Sequence, residues 1–71
     1  MTSINDAIIK LDAKRPTFMR WIKIYMAELE KQDIITIIQS GFHKRIDIDL
    51  DRFVEFMENK GAKFSKYRKE A

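Results

Sequence analysis

Three observations predict a mostly helical fold with one small β-hairpin, in the order helix, helix, strand, strand, helix. Apolar residues recur at helical spacing in three separate stretches of the 71-residue chain. A β-branched run and an alternating run lie back to back between the second and third stretches, and a glycine marks the turn that would join them. The length is near the lower limit for one self-sufficient hydrophobic core, so a single domain is expected over residues 1–61, followed by a basic tail at 62–71.

The first helix runs from about Ser3 to Leu11. Ser3 and Asp6 form a capping pair, and Ile4, Ala7, Ile8 and Leu11 fall at i, i+3, i+4, i+7. Asp12-Ala13-Lys14-Arg15 breaks the pattern, and Pro16 opens a second helix, where its missing N–H costs nothing. Phe18, Trp21, Ile22, Tyr25, Met26 and Leu29 carry that helix to about Lys31, with Thr17, Arg20, Lys23 and Ala27 pointing away from the apolar stripe. Ile34 to Gln39 is too short and too β-branched for a helix and reads as a strand. Ser40-Gly41-Phe42-His43 supplies the turn. Arg45 to Asp49 alternates polar with apolar as a half-buried strand does, which puts Lys44 and Arg45 close to the hairpin tip. Asp49 or Asp51 caps a third helix built on Leu50, Phe53, Val54 and Met57, and Gly61 ends it.

Charge is segregated along the chain. Lys14, Arg15, Arg20 and Lys23 occupy one stretch without an acid, residues 47–58 hold five acids against Arg52, and residues 60–71 hold five bases against Glu70. With a net charge of +3, that layout fits a binder of phosphate backbones, and equally a solvated surface of mixed sign. With no cysteine there is neither a disulfide framework nor a thiolate metal site, in keeping with a reducing compartment. The opening stretch MTSINDAIIKLDAK lacks the uninterrupted apolar core of a signal peptide, and no stretch reaches the roughly 20 apolar residues of a membrane span. A soluble cytoplasmic protein with no membrane partner is therefore expected. His43 is the only histidine, so neither a metal site nor a catalytic triad is expected, and no cofactor or enzymatic activity.

Residues 7–22, AIIKLDAKRPTFMRWI, resemble the two-helix unit that opens MerR-type regulators, excisionases and related small winged helix-turn-helix proteins. Residues 41–46, GFHKRI, look like the wing of that family, and the following IDLDRFVEFM resembles its closing strand and helix. The likeness covers about residues 4–58. Asp12 stands where relatives often carry Gly, the second helix is longer than usual, and the 71 residues hold neither the coiled coil nor the effector domain of full MerR regulators. What the resemblance implies is a stand-alone excisionase-like architectural factor or transcriptional repressor of a phage or mobile element, its second helix (about 16–31) in the major groove of double-stranded DNA and its wing (about 34–49) on the backbone or minor groove. So small a footprint suggests a homodimer or a cooperative array on DNA, with a recombinase or polymerase as a further partner.

Arg15, Thr17, Arg20 and Lys23 are the candidate DNA contacts of the second helix, with Lys14 just before it as a phosphate contact; an ordinary solvated face is the competing reading. His43, Lys44 and Arg45 are the candidates of the wing, against a solvated turn. Asp47, Asp49 and Asp51 are explained by capping and solubility, the uncapping pair facing water. Phe18, Trp21, Tyr25, Phe53 and Phe56 read as core rather than as stacking platforms for bases. Lys60 to Lys69 is either a phosphate-binding arm or a solvated end. A protein-interaction module, such as an inhibitor of a host enzyme that uses the acidic third helix or exposed Met19 and Ile24, is the main alternative; an RNA-binding variant would use the same bases.

Overall fold

The computed structural model describes residues 2–64 and 67. In chain order the elements are β1 (Thr2–Ser3), α1 (Ile4–Leu11), α2 (Arg15–Lys31), β2 (Ile35–Ser40), β3 (His43–Ile48) and α3 (Leu50–Asn59). The expected order of helices and hairpin is realised as a winged helix-turn-helix. One element was not foreseen: β1, too short for any periodicity to reveal, pairs antiparallel with β3 and makes a three-stranded sheet of order β1-β3-β2.

Each helix is started and stopped by identifiable chemistry. The Ser3 hydroxyl accepts from the Asp6 N–H at 3.3 Å, and the Asp49 carboxylate accepts from the Arg52 N–H at 3.4 Å, so both short helices have side-chain N-caps. Lys14 fills the N-cap position of α2 without such a bond, and Pro16 sits in its first turn.

All three helices exit by the same reversal. Asp12 (φ 51°), one residue beyond α1, and Asp33 (φ 57°) and Gly61 (φ 99°), two residues beyond α2 and α3, adopt the left-handed conformation. The next N–H, from Ala13, Ile34 or Ala62, then returns to the carbonyl of Ile8, Leu29 or Met57 at 2.9–3.1 Å. These are Schellman closures, and aspartate takes the place usual for glycine in two of them. Asp12 therefore makes the helix-helix turn in the conformation that its residue type tolerates better than most.

The stripe of each helix meets the inner face of the sheet. Ala7 and Leu11 of α1, Phe18, Ile22 and Leu29 of α2, Ile35 and Ile48 of the sheet, and Leu50, Phe53, Val54 and Met57 of α3 are all buried. Phe18 and Phe53 are fully enclosed, with ring centroids 5.3 Å apart. Removing either ring from a core this small would cost about 3–5 kcal/mol, a large share of the stability expected of such a domain. Across the α2–α3 seam, Arg52 donates to the Gln32 carbonyl at 2.6 Å. The Lys60 ammonium lies 3.6 Å from Glu28 and 5.5 Å and 5.3 Å from the Tyr25 and Phe56 ring centres.

Past Gly61 the chain packs back on the domain. Phe64 meets Trp21 edge-on at 5.5 Å, and the Tyr67 hydroxyl donates to Asp51. The basic arm read from the sequence thus begins with anchored residues: Lys60 is engaged as above, Lys63 is exposed, and Lys66, Arg68 and Lys69 lie outside the described residues.

Candidate nucleic-acid interface

The outward face of α2 follows from its inward one. Phe18, Ile22 and Leu29 define the buried stripe, and at about 100° per residue Arg20 falls opposite it, with Lys23 about 60° to one side and Ile24 about 40° to the other. Arg20, Lys23, Ile24 and Ala27 are exposed, as are Lys14 and Arg15 at the leading end. Thr17, expected on this face, stands about 120° from the centre of the core stripe, as Lys23 does, but on the flank that carries Trp21, and it is half-buried.

The hairpin supplies the second half of the surface. Register pairs Ile35 with Ile48, Ile37 with Ile46, Ile38 with Arg45, Gln39 with Lys44 and Ser40 with His43, leaving Gly41-Phe42 as a two-residue turn. Gly41 has φ 59° and Phe42 does not have positive φ, which is the pattern of the hairpin turns that place glycine first. The tip is therefore Phe42, not Lys44-Arg45. Lys44 stands one rung behind the turn pair and Arg45 two.

Lys44, Arg45 and Ile46 of the wing share with Arg15 and Met19 of α2, and with Asn5, the lining of a shallow groove of about 430 Å³. Arg15 donates through Nη2 to the Asn5 side-chain carbonyl. A neutral amide orients that guanidinium and leaves its charge intact.

Arg45 has a different partner. Its Nε and Nη2 donate to the two carboxylate oxygens of Asp47 at 2.9 and 3.0 Å. Asp47 was expected to face water. It is instead buried, 5% exposed, because it stands on the central strand between Ser3 of β1 and Thr36 of β2. Residues two apart on a strand share a face, so Arg45 covers this carboxylate and supplies the paired charge that a buried acid requires. The hydrogen bonds from Arg45 hold the Asp47 carboxyl below the usual carboxylate range and raise the Arg45 guanidinium in turn. Arg45 keeps unused N–H groups and an exposed side chain, but the pair carries little net charge.

Asp49 caps α3 as expected, and Asp51 accepts from Tyr67. Among the described residues, no group of three or more His, Cys, Asp or Glu is placed to hold a metal ion, and no helix is long and apolar enough to cross a membrane. One residue placed in the turn was not singled out as a site residue: Phe42, fully exposed at the tip of the wing. An aromatic side chain in a two-residue turn, where polar residues are usual, is the signal that could have singled it out.

Compared with known proteins, the chain matches no family model, no curated sequence and no solved structure.

Proposed function

We propose that this chain binds double-stranded DNA in a sequence-directed way, with α2 in the major groove and the wing on the adjacent backbone or minor groove. The observation that carries the reading is the placement of Arg20 and Lys23. Both are exposed opposite the buried stripe of a helix about 25 Å long, with a cationic hairpin set beside the same helix across an open groove. Arg20 suits the O6 and N7 edge of guanine, Lys23 a phosphate or a base edge, and Lys14 with Lys44 the phosphates on either side. The acids of α3, Glu55 and Glu58, are exposed on a different element. A footprint of this size favours a homodimer or a cooperative array on neighbouring sites, in the role of an excisionase-like architectural factor or a repressor working beside a recombinase or polymerase.

Selection of sites from a random duplex pool, followed by gel shift, tests this directly. Replacing Arg20 and Lys23 by Ala leaves the fold intact and abolishes retention of the selected duplex at moderate salt. A second reading draws on Met19 and Ile24, which are 40% and 61% exposed among those cations: a surface for a protein partner. A wild-type protein that retains no duplex from the pool decides for that reading.

A further inference from the structure

Phe42 makes no contribution to the fold that would explain its presence. Its side chain is fully exposed, while Gly41 beside it already supplies the positive φ that the turn demands. The outer part of the hairpin, from Ile38 to Arg45, is exposed or half in solvent at every position, so the turn projects about 10 Å beyond the rungs that pack on the core. Over residues 39–45 the ribbon has no acid, and His43 and Lys44 directly follow the phenyl group. An apolar blade with a lysine close behind it at the end of a projecting ribbon is complementary to a groove walled by phosphates and floored by stacked bases.

We propose that Phe42 is a wedge: it enters the minor groove beside the site of α2, partly unstacks one base step and bends the duplex. This rests on the DNA-binding reading above and adds a mechanical act to it. The geometry selects the minor groove. That groove is about 6 Å wide, too narrow for two strands spaced about 4.8 Å apart with their side chains, but wide enough for the one side chain at the turn. Lys44 and His43 then lie against the flanking phosphates, with the wing across its groove from Arg15 and Met19 of α2. Apolar wedges of this kind kink DNA by about 20–90°. Because pyrimidine-purine steps unstack most readily, the bound site carries a TA or CA step beneath the turn, a preference read without any hydrogen bond to a base.

The experiment uses the full chain and a duplex selected from the random pool, end-labelled with a donor and an acceptor dye. Wild-type protein is expected to shorten the end-to-end distance, and 2-aminopurine at the step under the turn is expected to brighten as it unstacks. With Phe42→Ser the duplex stays bound through α2, affinity falls about tenfold, the bend and the 2-aminopurine signal disappear, and the TA or CA preference is lost. Phe42→Leu restores bend and signal, since an aliphatic wedge also serves. A Phe42→Ser protein that bends the duplex as the wild type does would overturn the wedge while leaving DNA binding in place, and would assign the phenyl group to a protein partner. A wild-type protein that retains no duplex would overturn both.

Discussion

The two banks of the groove between α2 and the wing each present an arginine, and their partners make them different instruments. Arg15 is held by the amide of Asn5 and Arg45 by the buried carboxylate of Asp47. Orientation is gained in both places, but only the α2 bank keeps its full positive charge. Counting bases along a sequence therefore overstates what a wing offers to phosphate: a cation two residues from an acid on the same strand belongs first to that acid.

The largest expected effect falls on the α2 bank. The Arg20→Ala, Lys23→Ala protein should bind its selected duplex at least about a hundredfold more weakly, with the slope of log K against log salt reduced by about two, and with an unchanged melting temperature. Equal losses from Ala at Lys44 alone would reverse the ranking of the two banks.

A symmetrical pair of substitutions sharpens the contrast. Asn5→Asp should convert the α2 bank to the state of the wing and lower the salt slope by about one. Asp47→Asn, which keeps a hydrogen-bond acceptor but removes the charge, should release Arg45 and raise the slope by about one. Salt titrations of the two variants that moved in the same direction would sink the comparison.

Acid supplies a further test on the wing side alone. The folded-state pKa of Asp47 lies below its unfolded value, so the pair stabilises the protein above the ordinary aspartate pKa of about 3.9 and that contribution is lost as pH falls through the lowered folded value. Thermal unfolding followed from pH 6 to pH 2 should show an acid-limb loss that Asp47→Asn makes shallower, whereas Asn5→Asp should leave this limb's midpoint where it is or steepen it. The smallest effect concerns the scaffold that delivers the wing. Asp33→Gly, at φ 57°, should stabilise by about 0.5 kcal/mol in urea unfolding and leave duplex affinity untouched.

Much of this architecture is legible in the sequence because it is local. Ser3 and Asp49 cap what they were expected to cap, the apolar spacings of α1, α2 and α3 pick out their buried stripes, and the hairpin differs from its expected limits by a residue or two. What escaped depends on neighbours distant in sequence. Asp47 looked solvated because its burial comes from β1, forty-odd residues away; Thr17 looked outward because no periodicity tells how far Trp21 and Phe64 extend the packed flank. Phe42 was placed in the turn, but its neighbours alone do not tell how far that turn projects from the core.

The pairing of Thr2 with Ile48 and Ser3 with Asp47 also has a kinetic consequence. The β2–β3 hairpin closes over two residues and each helix over its own turns, events of microseconds or less, whereas β1 must find β3 from the far end of the chain. The clasp that seals Asp47 from water is thus the slowest of these contacts to gather. The arginine and its acid meet early, within one hairpin, and are shut away from water only when the two residues of β1 dock.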